Sequence, residues 1–212
     1  MLTEHSEVVC TTVPGVGRNL TWEVRVAGQS GNSLCVGGNC HVNVSTSYAP
    51  PVVAPSASGA SAVTGAGVSG ATTSGGQQLV IAGLQLGPAA GEAAPAVTYG
   101  PWGDVGRYEA TGCAVAVDFS QITCLTAEGV GKGHFLAVTV GGQTSNAYEA
   151  NITYSPPNVA DYRTSWKAAS GGSVGEGEGA STAGGQWVVL EGRNFGTVAE
   201  NRIDMVTYSV AG

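Results

Sequence analysis

The feature that most constrains this chain is that it says most things twice. Cys10 and Cys124 lie 114 residues apart, as do the Gly-Val-Gly triplets at Gly15–Gly17 and Gly129–Gly131 and the glutamines Gln29 and Gln143. "NVS" at Asn43 and "NIT" at Asn151 are 108 apart, and Pro50-Pro51 and Pro156-Pro157 are 106 apart. "GGQ" at Gly75 recurs at Gly184 and "VTY" at Val97 recurs at Val206, each 109 residues on. Order and spacing both hold, so the sequence carries about two copies of one unit of 106 to 114 residues.

The frame of the repeat matters more than its count. One copy runs unbroken over residues 49–155, with a loose leader, "PPVVAPSASGASAVTGAGVSGATTSGG". The other is split. Its front half lies at 156–212, "PPNVADYRTSWKAASGG" onward, and its back half at 1–48. The chain therefore reads as back half, complete unit, front half.

The pattern inside the unit is that of strands. Val80, Val97, Val115, Val138 and Val140 sit in short alternating or apolar runs bounded by Gly or Pro. Only 11% of residues are charged and 34 are Gly, and no segment sustains a 3.6-residue period. About seven short strands with regular turn signals predict an all-β fold, a β-sandwich.

The residues also carry a family resemblance. "GGQWVVLEGRNFG" at Gly184–Gly196 resembles the IPT/TIG motif, a Gly-Gly pair leading into an alternating strand that ends in G-x-N-F-G. "SQITCLTAEGVGKGHFLAVTVGGQTSNAYEANITYSPP" resembles the rest of such a domain, and the likeness covers nearly the whole chain. "GLQLG" at Gly83–Gly87 departs from the motif, and the leaders before each "GGQ" are long. The resemblance implies tandem immunoglobulin-like sandwiches. The family serves as a cell-surface ectodomain repeat, as a dimerisation and DNA-binding module in Rel-type transcription factors, and as an accessory domain in starch enzymes. Fold alone does not choose among these.

Half a sandwich leaves bare strand edges and half a core in water. In tandem rods of this family the chain enters and leaves each domain at opposite poles, which keeps the two halves of one molecule apart. The expected solution is head-to-tail assembly, with residues 156–212 of one copy completed by residues 1–48 of the next. Such a contact is heterologous and builds a ring or an open filament.

The cysteines bear on compartment and on assembly. There are five, with no CxxC pair and only three His to complete a zinc site. A small-residue core gains from disulfides, which points to an extracellular, oxidising setting. The family resemblance pairs Cys113 with Cys124. Cys35 and Cys40, in "CVGGNC", are placed to close a hairpin tip on each other. Cys10 matches Cys124, but the counterpart of Cys113 would fall at 113 + 109 = 222, past Gly212. Either a longer polyprotein is cut or drawn between repeats, or Cys10 is free or bonded across a protomer boundary, or it is a buried thiol; these readings stay open.

Three sequons, at Asn19, Asn43 and Asn151, mark N-glycosylation candidates, with recurrence in the two copies strengthening Asn43 and Asn151. Pro50, Pro51, Pro55, Ser56, Ser58, Pro156 and Pro157 lie in Pro/Ser stretches that resemble hydroxyproline-rich or O-glycosylated segments, and equally a plain extended linker. Trp102 and Trp166 fall in loops and are candidate contacts for a neighbour or a glycan; Trp22 and Trp187 read as core plugs.

Other chemistry is not signalled. His5, His41 and His134 have no ligand spacing, and His134 reads as a surface strand residue. Glu176 and Glu178 in "GEGEG" match no calcium loop, and Asp104, Glu109, Asp118, Glu191 and Asp204 form no acid–base pair. "GAGVSG" leads into no helix, so dinucleotide binding is not expected. A net charge of -7 argues against nucleic acid, and no apolar run is long enough for a membrane span. The start, "MLTEHSEVV", lacks the basic and apolar regions of a secretory signal. The sequence thus predicts no enzyme, metal or cofactor, and a secreted glycoprotein whose main partners are itself and its glycans. The alternatives are a receptor or adhesion ectodomain and a carbohydrate-binding accessory module.

Overall fold

The structure is a computed structural model that describes residues 7–32, 45–55, 59–90, 94–164, 182–198 and 202–209. Among these residues every regular element is a strand. The N-terminal segment contributes β1 (Leu20–Thr21), β2 (Glu23–Val26), β3 (Gln29–Asn32) and β4 (Ser45–Thr46). The central unit holds β5 (Val52–Val53), β6 (Val63–Thr64), β7 (Ser69–Ala71), β8 (Gln78–Leu84), β9 (Ala96–Gly100) and β10 (Tyr108–Glu109). It continues with β11 (Thr111–Val117), β12 (Gln121–Leu125), β13 (His134–Val140), β14 (Gln143–Thr144) and β15 (Tyr148–Tyr154). The C-terminal segment adds β16 (Asn158–Thr164) and β17 (Val188–Arg193).

Two sheets make the central unit a β-sandwich. One runs β10-β9-β13-β15-β7 with β14 beside β13, and the other runs β11-β12-β8-β5 with β6 beside β8. All pairs are antiparallel except β15 with β7. The alternation seen in the sequence sets which side chains face inward. Leu79 and Ile81 of β8 and Ile122 and Cys124 of β12 meet Val97 and Tyr99 of β9, Leu136 and Val138 of β13, and Ile152 and Tyr154 of β15 in one buried cluster. At about 1.5–3 kcal/mol for each large apolar side chain, this layer is the main source of stability.

Cys113 of β11 is bonded to Cys124 of β12, tying the outer strand to the sheet's interior. His134 corrects the sequence expectation: it is buried, not on the surface. It shares the inward parity of Leu136 and Val138 on β13. Its Nε2 lies 3.1 Å from the Val130 carbonyl, and its ring packs among Tyr99, Tyr108 and Tyr154. The ring enters the core with Nε2 at a carbonyl and its faces and edges against the tyrosine rings.

Replacing both Cys113 and Cys124 with Ser should cost the central unit about 2–4 kcal/mol, read by urea unfolding with and without reductant. Reductant should shift the parent toward the variant and leave the variant unchanged.

Candidate functional site

The strand pairs of the terminal segments repeat registers found in the central unit. In the central unit, Val52 faces Leu84 and Val53 faces Gly83 across β5 and β8. At the C-terminus, Asn158 faces Arg193 and Val159 faces Gly192 across β16 and β17. These are the same positions moved by 106 and 109 residues. The glycines act alike. A Cβ on Gly83 would strike the Val52 carbonyl, and one on Gly192 the Asn158 carbonyl. Gln85 and Asn194, another matched pair, both take left-handed backbone, with φ of 60° and 63°.

The N-terminal segment matches the other half. Val26 faces Gln29 across the β2–β3 turn, as Val140 faces Gln143 across the β13–β14 turn. The turn residues Ala27-Gly28 have φ of 49° and 81°, and Gly141-Gly142 have 56° and 74°, the two-positive-φ turn that suits a hairpin. Tyr48 N–H donates to the Gly17 carbonyl and Tyr154 N–H to the Gly131 carbonyl, both at 2.9 Å. The Tyr48 hydroxyl donates to the Val13 carbonyl at 2.5 Å, and that of Tyr154 to the Ala127 carbonyl at 2.8 Å.

Matched backbones do not bring matched burial. Leu79, Val80 and Ile81 of β8 are buried or half-buried, whereas their counterparts Val188, Val189 and Leu190 on β17 are all exposed. Val206 and Tyr208 correspond to the buried Val97 and Tyr99, yet Tyr208 is 101% exposed. On the N-terminal side, Val8, Trp22 and Val24 correspond to the buried Ile122, Leu136 and Val138 and are exposed. In the central unit Ile122 faces Ile81 and Leu136 faces Tyr99, so each terminal segment exposes the residues whose counterparts meet in the core. Among the described residues, no strand of the N-terminal segment pairs with one of the C-terminal segment.

One joint recurs at both boundaries. Val16 Cγ1 would lie 3.1 Å from a Cβ on Gly87, and its counterpart Val130 would lie 2.7 Å from one on Gly196, the counterpart of Gly87. Gln143 Nε2 adds a hydrogen bond to the Tyr48 carbonyl at 3.1 Å. The N-terminal segment thus touches the central unit through the same contact by which the central unit touches the C-terminal segment.

The remaining candidates fall as follows. Asn19 and Asn151 are exposed, each with left-handed backbone, φ 57° and 54°. The hydrogen-bond register matches Thr46 with Ile152, so Ser45 is the positional counterpart of Asn151. Pro50, Pro55, Pro156 and Pro157 are exposed and Pro51 is buried. Cys10 is a free, exposed thiol. Trp102 is exposed, with its ring edge-on to Phe135 at 5.0 Å. Trp22 and Trp187 are exposed rather than the core plugs expected, because among the described residues no second sheet covers their segments. Asn43, Cys35, Cys40, Ser56, Ser58, Trp166, Glu176 and Glu178 lie outside the described residues.

Charged groups do not converge. Asp104 pairs with Arg107 at 2.9 Å and Glu191 with Arg163 at 2.5 Å, both on the surface. No group of three or more His, Cys, Asp or Glu gathers among the described residues as a metal site would require. No described helix is long and apolar enough to cross a membrane. An open depression of about 340 Å³, lined by Pro55, Leu84 and Val117 among others, holds no ionisable side chain. The surface that stands out is the exposed apolar lining of the two terminal segments. Comparison with protein-family models, with curated proteins and with solved structures gave no match.

Two predictions follow from the repeated geometry. Gly83→Ala should destabilise the central unit by about 1–3 kcal/mol in chemical denaturation, since its Cβ meets a carbonyl that the sheet holds fixed. Burial raises the Tyr99 pKa above its ordinary 10.0, against the opposing effect of its hydrogen bonds with Tyr154 and the Ala127 backbone. The folded state therefore favours the neutral phenol. Its contribution is complete below the unfolded value and is lost as pH rises through the folded one. Alkaline unfolding monitored by tyrosinate absorbance should show this loss, and Tyr99→Phe should flatten it.

Proposed function

We propose that the chain is a structural subunit of an extracellular or cell-surface glycoprotein filament. Its units are tandem immunoglobulin-like sandwiches of the IPT/TIG type. Copies join head-to-tail, the front half-domain at 156–212 of one being completed by the back half-domain at 1–48 of the next.

The observation that carries this reading is the mismatch between shape and burial. The strand pairs of both terminal segments share the register of their counterparts in the central unit, yet their core-type residues face water. Covering one such side chain is worth about 1.5–3 kcal/mol, and Val8, Trp22, Val24, Leu190, Val206 and Tyr208 all stand exposed. Exposed apolar strands of this kind favour β-strand addition. The recurring joint favours a partner in another molecule. If each unit follows the last by the same step, the first and last segments move apart, and the contact propagates without closing. The Cys113–Cys124 bond and the exposed sequons Asn19 and Asn151 agree with a secreted glycoprotein.

The test is light scattering and electron microscopy of the chain across a concentration series. Wild type should form linear assemblies. Leu190→Asp, which places a charge where the neighbour's strand would lie, should leave a folded monomer. Wild-type protein that stays monomeric at high concentration would overturn the proposal.

A further inference from the structure

The central unit shows what the completed joint between two copies would contain. Its tyrosine corner is a closed ring of hydrogen bonds. Ala127 N–H donates to the Tyr99 hydroxyl at 2.8 Å. The two hydroxyls of Tyr99 and Tyr154 are 2.6 Å apart. Tyr154 donates to the Ala127 carbonyl at 2.8 Å, so Tyr99 donates to Tyr154 and the ring closes. One residue's backbone is clamped by two phenols, both buried.

The N-terminal segment holds two of these three parts. Val13 is the counterpart of Ala127 and Tyr48 that of Tyr154, and the Tyr48 hydroxyl already donates to the Val13 carbonyl. The third part is the counterpart of Tyr99. That residue is Tyr208, 109 positions on, and it stands wholly exposed at the other end of the chain.

We propose that Tyr208 of one copy fills this corner on a second copy, donating to the Tyr48 hydroxyl and accepting from Val13 N–H. The inference rests on the split-domain reading above and adds to it a residue-level register. In the central unit Leu136 faces Tyr99 and Val138 faces Val97. The same pairing carried across copies sets Trp22 opposite Tyr208 and Val24 opposite Val206. Residues 205–209 of one copy then lie antiparallel beside Thr21–Arg25 of the next, extending its sheet. Tyr208 is thereby both a core side chain and the hydrogen-bonding key of the interface. Tyrosine suits the place because a buried phenol brings large apolar area and one directional hydrogen bond.

The register is tested by cross-linking in a Cys10→Ser background. One chain carries Val24→Cys and another carries Val206→Cys; they are mixed, oxidised, and the linked peptides identified by mass spectrometry. Directly opposed positions are within disulfide reach. The expected result is an interchain bond between positions 24 and 206. Thr207→Cys, one residue off and on the opposite face, should give far less. Tyr208→Phe should weaken self-association roughly tenfold, because it leaves Tyr48 and Val13 short of a partner while keeping the ring. Copies that associate in light scattering but link position 24 elsewhere, or that ignore Tyr208→Phe, would overturn the tyrosine register and leave the filament reading standing. A bond between 24 and 206 within one chain carrying both substitutions would overturn pairing between copies. Absence of any association at high concentration would defeat the filament reading and this inference with it.

Discussion

Main-chain pairing at a fixed register is the constraint on which the rest of this molecule depends. A strand's side chains alternate with a period of two, so a slip of one residue would turn the whole apolar set outward. Glycine holds the register at the tightest point. Gly83 lets β8 run close against the Val52 carbonyl, and Gly192 lets β17 do the same against Asn158. With that approach fixed, Leu79 and Ile81 face the core. The same approach on β17 leaves Val188 and Leu190 facing water. The two outcomes differ only in whether a second sheet is there to receive them.

The tyrosine corner shows how the core also settles polar groups. Tyr99, Tyr108 and Tyr154 bury their rings and turn each hydroxyl to a backbone group: Tyr99 and Tyr154 to Ala127, Tyr108 to Val130. His134 joins them through the Val130 carbonyl. The loop between β12 and β13 has no ladder of its own, so these side chains stand in for one. Gly129 makes room, since a Cβ there would lie 2.8 Å from both the Tyr108 ring and the Tyr154 hydroxyl. Gly15 makes the same room beside Tyr48. Loop, tyrosine and glycine thus form one device, present twice.

Much of the fold was legible in the chain. Valine-bearing runs located β8, β9, β11 and β13, and the doubled Gly-Gly and Gly-Val-Gly landmarks located turns whose positive φ values recur in both copies. The misreadings have a shared cause. His134 reads as a surface strand residue, yet its parity with Leu136 points inward, and only the packed tyrosines show why the ring is accepted there. Trp22 and Trp187 read as core plugs because they sit in strand patterns, yet a strand buries a ring only when another sheet lies over it. Pro51 lies in a leader that reads as an extended linker, but it is buried just before β5.

The sequence by itself determined the all-β class and the spacing of the repeated landmarks. Period-two alternation, glycine placement and repeat spacing are local properties, and they survive in a list of residues. Only the tertiary structure decided which repeated residues are covered and which stand in water. That depends on which strands lie across from one another, and two segments with the same local geometry differ in it completely. Tyr99 and Tyr208 sit in the same "VTY" motif. One is enclosed by a second sheet and the other is exposed, because burial belongs to the neighbour as much as to the residue.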